Sequence, residues 1–225
     1  MIGINKKKGI TLAIETAIGG GSLALLESEL ILDRWIGETG TSRSEELIGA
    51  VSEMLGRNQL NPSDIGLIAV SRGPGSYTGA RIGIATAIGI SNGLNIECVG
   101  ASILDSLYHK FGIQNMFVIT AVSFGKSEIC FQVFEKFYTQ SEEVTYIQEK
   151  ATQITTLEMF VQNFGKKSET LFVFDHKLYL AVENLKLMKA SKLINAGLNI
   201  ADFIGQFVIK YRSNETITPI YPRIF

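Results

Sequence analysis

Gly73-Pro74-Gly75-Ser76-Tyr77-Thr78-Gly79-Ala80-Arg81-Ile82-Gly83 is the stretch on which the reading of this chain turns. It leaves a continuous apolar run at residues 65–70, which reads as a central, buried strand. Two glycines around a proline make a stiff turn with backbone freedom on either side. Ser76 or Thr78 can then cap a helix over residues 78–93. Gly79, Gly83, Thr86, Ile90 and Gly93 recur on one face of that helix. Each interior glycine costs roughly 1 kcal/mol against alanine, so close approach by another helix has to compensate. Two neighbours satisfy this expectation: a helix of the same chain, or a helix of a partner protein.

Upstream, residues 10–14 form a short apolar run suited to a buried strand, and Gly19-Gly20-Gly21 allows a reversal into a second strand at residues 22–26. Residues 30–36 read as a third strand, so the chain opens as an antiparallel meander. Ser42-Arg43-Ser44-Glu45 has the form of a capping box. Leu47, Ile48, Val51, Met54 and Leu55 come after it at helical spacing, up to Gly56. Downstream lie a strand at residues 96–99 and a helix over about 102–111, and the character changes near Gly112. Strands are expected at 117–122, 128–135, around 144–147 and at 171–174, with helices at 156–164 and 201–210. The two prolines of Pro219-Ile220-Tyr221-Pro222-Arg223 forbid helix and suggest an extended segment pinned to the body.

The chain has 225 residues, one large domain or two small ones at roughly 100–200 residues each. With 46% hydrophobic and 19% charged residues it is a globular composition, not a disordered one. Lys and Arg number 21 against 22 Asp and Glu, a net charge of −1, which argues against holding nucleic acid or an anionic membrane unaided. Cys98 and Cys130 are too few for a disulfide framework, and with His109 and His176 they lack metal-ligand spacing, so no metal site is expected. Lys6-Lys7-Lys8 and the apolar residues after it imitate a signal peptide, but the run ends at Glu15; residues 82–96 fall short of a bilayer span. A cytoplasmic location with no membrane association is the expectation. Trp35, Phe131, Phe134, Phe160 and Phe172 are expected in the core.

A glycine-rich loop between strand and helix raises the question of phosphate binding. This one is neither a Walker A loop, since the lysine is missing, nor a Gly-x-Gly-x-x-Gly fingerprint, since Thr78 occupies the third glycine position. Gly73-Pro74-Gly75-Ser76 is not a Gly-x-Ser-x-Gly nucleophile elbow, and neither histidine comes with a motif for activating Ser76.

The chain resembles the TsaB (YeaZ-type) family, non-catalytic members of the bacterial machinery that makes N6-threonylcarbamoyladenosine in tRNA. Four segments, in order, carry the likeness: Leu12-Ala13-Ile14-Glu15-Thr16-Ala17, Ser44-Glu45-Glu46-Leu47-Ile48, the central Gly73 to Gly83 motif, and Pro219-Ile220-Tyr221-Pro222-Arg223. Arg43, Gly49 and Cys130 stand where the family has His, Pro and Tyr. The resemblance implies an α/β, two-lobed actin-like ASKHA (ribonuclease H-like) fold, mixed sheets flanked by helices. The first lobe would take residues 1–112 and carry the partner-binding helices. The smaller, degenerate second lobe would take 113–225, with its last residues able to pack back on the first. Active members of that fold hold nucleotide and metal with two Asp-x-Gly-x-Thr turns. Here Glu15 and Thr16 remain as a remnant of the first, and residues 120–126 offer no carboxylate for the second.

The resemblance further implies a scaffold that binds and supports a TsaD-type catalytic subunit, works with a TsaE-type ATPase, and meets tRNA only through the complex. Alone, the chain is expected to form a homodimer. No catalytic residue and no cofactor of its own are expected; ATP and metal belong to the partner subunit. Leu47, Val51, Gly79, Ile82, Gly83, Thr86 and Ile90 are the expected partner-binding residues. Gly73, Pro74, Gly75, Ser76, Tyr77, Thr78 and Arg81 form the signature loop. Replacing Gly83 by leucine is accordingly expected to block docking. The rivals are an ASKHA-type ATPase or phosphotransferase using Glu15 and Thr16, and, with no hydrolytic constellation behind it, a peptidase.

Overall fold

The computed structural model describes residues 9–38, 43–125, 127–138, 145–149, 151–186, 188, 192–212 and 217–220. The expectations for Lys6-Lys7-Lys8, Ser42, Val144 and Tyr221-Pro222-Arg223 lie outside the described residues.

Strands β1 (Ile10–Glu15), β2 (Ser22–Glu27) and β3 (Leu30–Ile36) form the expected antiparallel meander. Helix α1 (Arg43–Arg57) leads through a short 3-10 turn to β4 (Ile65–Ser71), which pairs parallel with β1. Helix α2 (Tyr77–Leu94) then returns the chain to β5 (Glu97–Ala101), parallel to β4. The first sheet therefore runs β3-β2-β1-β4-β5. Helix α3 (Ile103–Leu107) closes this half and continues as a π-turn at Tyr108–Gly112 in place of the longer helix expected. At the end of that turn a side chain on Gly112 would stand 2.8 Å from the Tyr108 ring and 2.9 Å from Val118.

The second half repeats the plan. Strands β6 (Phe117–Phe124), β7 (Glu128–Tyr138) and β8 (Thr145–Glu149) are antiparallel, and β9 (Gln153–Thr156) also pairs with β7. After α4 (Leu157–Phe164), β10 (Thr170–Phe174) pairs parallel with β6; after α5 (His176–Asn184), β11 (Lys192–Asn195) pairs parallel with β10. The order β11-β10-β6-β7-β8 repeats that of the first sheet in reverse sense, with β6 in the place of β1. Helix α6 (Ala201–Tyr211) comes after β11 and corresponds to α3.

Alternation along the strands builds five layers. Leu12, Ile14, Leu23, Leu25, Ile68 and Val70 face one way and pack with α1 and α2. Ala13, Ala24, Leu26, Leu67 and Ala69 face the other and meet α3 and α6. The far side of that middle layer is covered by Val118, Val122, Phe134, Leu171 and Val173 of the second sheet. That sheet's outer face, with Phe131, Phe172 and Phe174, packs with α4 and α5 around Phe160. The phenylalanines expected in the core are there, and Trp35 packs half-buried against the outer core of the first sheet. Burial raises the thiols of Cys98 and Cys130 to about 11 and about 12, so both act as small apolar groups.

Although last in sequence, α6 lies on β1, β2, β4 and β5 of the first sheet. The approach is close because Gly205 has no side chain: a Cβ there would come 2.5 Å from Leu26 Cδ1 and 3.1 Å from Ala13 Cβ. Gly205→Val is expected to destabilise the protein by about 1–3 kcal/mol through overpacking, read as a lower urea midpoint at unchanged slope.

Candidate functional site

The end of β1 is tied to the start of α2 by the chain's own polar groups. The Ser76 amide donates to the Ala17 carbonyl at 2.7 Å, and the Thr16 hydroxyl donates to the Gly79 carbonyl at 2.7 Å. Ser76 is the N-cap of α2, its Oγ accepting from the Gly79 amide at 3.1 Å. Glu15, buried at the strand end, accepts the amides of Ala17 and Ile18 on Oε1. Two glycines make this contact possible. A Cβ on Gly83 would stand 2.2 Å from Thr16 Oγ1, and one on Gly75 would stand 2.5 Å from the Ala17 carbonyl oxygen.

The closing motif meets the same loop. The Ile220 amide donates to the Arg72 carbonyl at 2.7 Å, and Arg72 Nε donates to the Thr218 carbonyl at 3.0 Å. The tail is therefore pinned to the body over the residues described, 217–220.

This geometry corrects the reading of the small-residue face of α2. Gly79 and Gly83 are buried against this chain's own Thr16, Leu47 and Val51 are core residues of α1, and Ile82 and Ile90 are half-buried against the same core. Thr86 is half-buried between them. The bare side of Gly83 meets a neighbour from the same chain. Gly83→Leu is thus a folding variant, not a docking variant. The outward faces of the two helices instead carry Ile48, Gly49, Ser52 and Gly56 on α1, and Tyr77, Thr78, Arg81, Ala85, Ile88, Gly89 and Gly93 on α2. Arg81 stacks on the Tyr77 ring at 3.8 Å.

Between the lobes lies a cleft of about 1320 Å³. On the first-lobe side it is lined by the glycine turn after β1, Ile36 to Glu38, and Gly75 to Tyr77; on the other side by Ser123 to Gly125, Asp175 to Lys177, Leu180 and Leu198. The second lobe repeats the tie of the first with a carboxylate. Asp175 precedes α5 as Ser76 precedes α2, and its Oδ1 accepts from the Ser123 amide at 2.9 Å and the Ser123 hydroxyl at 3.2 Å. The residue is fully buried at the start of α5. Burial pushes this carboxyl above its ordinary value of 3.8, against the pull of Ser123, the Leu178 amide and the Lys177 charge.

Sequence reasoning sought a second-lobe carboxylate in residues 120–126 and missed Asp175, which enters from the next loop. The available signal was an Asp at the N-cap position of a short helix whose buried pair is Leu178 and Val182.

The residues present do not fit a magnesium–nucleotide complex held as active members of this fold hold it. Glu15 spends Oε1 on its own turn, the Ala17 carbonyl takes the Ser76 amide, and a Cβ on Gly20 would meet the Gly37 carbonyl oxygen at 1.9 Å, so the glycine turn is packed against β3's end. Among the described residues no cluster of His, Cys, Asp or Glu could hold a metal ion.

Two lobes of related strand order around one cleft define an actin-like fold. A Bacteroides thetaiotaomicron protein with "actin-like ATPase fold and unknown function" matches with a TM-score of 0.52 at 14% identity, over 91% of this chain and 98% of that one. A Pseudomonas aeruginosa protein "with similarity to peptidase YEAZ" matches with a TM-score of 0.68 at 18% identity, over 96% and 100%. Residues 38–201 match the family described as "TsaD: tRNA N6-adenosine threonylcarbamoyltransferase". The Bacillus subtilis "tRNA threonylcarbamoyladenosine biosynthesis protein TsaB" is 33% identical over 96 residues, 43% of this chain and 42% of that protein, so the alignment spans under half of the curated relative. The chain belongs to this family, and it is similar to TsaB and YeaZ proteins.

A carboxyl whose value is raised by folding contributes stability below its unfolded value and loses it as pH rises through the folded one. Asp175→Asn removes that dependence. The stability of the variant relative to wild type is expected to increase between about pH 4 and about pH 7, measured by urea unfolding at both. A difference that stays flat contradicts the assignment.

Proposed function

We propose that this chain is a non-catalytic scaffold subunit: it binds and supports a TsaD-type catalytic subunit in threonylcarbamoyl transfer to the adenosine 3′ of the anticodon in tRNA. The outward face of α1 and α2 supports this reading. Gly49, Gly56, Gly89 and Gly93 sit on helices with nothing of this chain within 4 Å of where a Cβ would be, so no contact among the described residues requires them to be glycine. Each costs roughly 1 kcal/mol of helix stability relative to alanine. Beside them Ile48 is 56% and Ile88 is 38% exposed. A surface of glycines flanked by isoleucines suits helices approaching at close range.

The TsaD-type subunit carries ATP and metal, the TsaE-type ATPase joins through the complex, and tRNA is met through the partner. Without the partner the same face supports a homodimer. No helix among the described residues is long and apolar enough to cross a membrane, and the cytoplasm is the setting the proposed reaction requires. The ATPase reading loses ground because Glu15 and Thr16 are both engaged with this chain's own backbone.

Ile48→Asp and Ile88→Asp test the surface directly. Each is expected to weaken binding to the TsaD-type subunit by about 30-fold or more, the threshold of an interface hot spot, with an unchanged melting temperature. Wild-type affinity in both variants, measured by titration calorimetry, contradicts the proposal.

A further inference from the structure

The closing segment, residues 217–220, is hydrogen-bonded to the body through Arg72, which stands at the entry to the signature loop. Arg72 comes directly after β4, and its backbone is held from two sides. Its amide donates to the Ala101 carbonyl at the end of β5 at 2.8 Å, and its carbonyl accepts the Ile220 amide at 2.7 Å. The side chain adds a second anchor, Nε donating to the Thr218 carbonyl at 3.0 Å. A carbonyl and the amide two residues on leave the same edge of an extended chain, so one arginine takes both. Pro219 between them has no amide to satisfy, and it restricts Thr218 to extended backbone in advance. The seat is shaped for this arrangement. A Cβ on Gly100 of β5 would stand 2.7 Å from Arg72 Cδ and 3.8 Å from the Ile217 Cα, so the bare glycine makes room for the arginine stem under the segment. Ile217 packs against the core that β1, β2 and β4 share with α1 and α2, and the Asp105 charge on α3 acts on the guanidinium.

We infer, resting on the scaffold reading for the partner, that Arg72 is a positioning residue: it seats residues 217–220 as a strap across the end of β4, and so sets the signature loop and the first turn of α2 for docking of the TsaD-type subunit. The path from strap to docking face is short. Gly73 follows Arg72 with a φ of +92°, and its carbonyl accepts the Ile103 amide of α3 at 2.8 Å. A glycine there leaves the backbone free to turn, so contacts on either side of it decide the course of the loop. Three residues on, the Ser76 carbonyl accepts the Ala80 amide at 2.9 Å and opens α2. Tyr77, 51% exposed, and Arg81 stacked on its ring then begin the outward face of the helix. The strap itself belongs to no helix or strand, and its hold is a pair of hydrogen bonds and one apolar side chain. Segments of that kind open at low free energy, so releasing it leaves the body folded.

Two substitutions in the full-length chain release the strap from opposite ends. Arg72→Met keeps an apolar stem and removes the side-chain donor; Ile220→Pro removes the amide donor and leaves Arg72 in place. Each is read by amide exchange at Ile103 and Ala80 in the free chain, and by calorimetric titration with the TsaD-type subunit. Exchange at both amides is expected to quicken about tenfold, and affinity to fall about tenfold, the value of a lost charge-assisted hydrogen bond, with unchanged far-ultraviolet circular dichroism. Arg72→Lys, which keeps a cationic donor on the stem, is expected to recover most of both losses. Ile220→Pro stands in if Arg72→Met does not fold. Wild-type exchange at Ile103 and Ala80 in both variants overturns the strap, whatever the partner does. Quickened exchange with wild-type affinity overturns its link to docking. A wild-type chain that does not bind the TsaD-type subunit contradicts the scaffold reading instead, and the strap then stands or falls on the exchange alone.

Discussion

The Ala17 carbonyl accepting the Ser76 amide at 2.7 Å, with Thr16 Oγ1 on the Gly79 carbonyl beside it, fixes the end of β1 against the first turn of α2. These bonds form only because Gly75 and Gly83 leave room for them. They set the direction of α2, and so which of its faces is core and which is surface. They also close the turn that in active members of this fold receives phosphate. The outward helix face and the shape of the cleft floor are both consequences of this one contact.

The repeated plan makes the lobes comparable position by position. Where the first lobe ties turn to loop with backbone carbonyls and a threonine, the second does so with Asp175 and Ser123. The first tie engages Glu15 with its own turn and Thr16 with α2; the second engages Asp175 with Ser123 at the start of α5. An architecture that elsewhere grips a nucleotide from both lobes is here tied differently on its two sides.

Much of the fold is legible in the sequence because burial patterns differ between layers. The meander, α1, α2 and β4 carry continuous apolar runs or helical spacing, and each is readable to within a few residues. The elements that escape such reading have weak patterning. The four residues of β11 are half-buried or exposed, and α5 buries only Leu178 and Val182. The glycine spacing on α2 does signal close packing, but periodicity cannot say on which side the neighbour stands. Gly79 and Gly83 meet Thr16 of the same chain, while Gly89 and Gly93, about two to three turns further on, face open space. Asp175 is hidden for a related reason: its meaning depends on Ser123, 52 positions away, and only the sheet brings them together.

Amide hydrogen exchange at Ser76 tests the central contact most directly. If the Ala17 carbonyl closes the loop, the Ser76 amide exchanges slowly in the free chain and is unmoved by magnesium–ATP. Rapid exchange at Ser76, or protection that appears only when magnesium–ATP is added, would contradict the account and reopen the turn as a phosphate site.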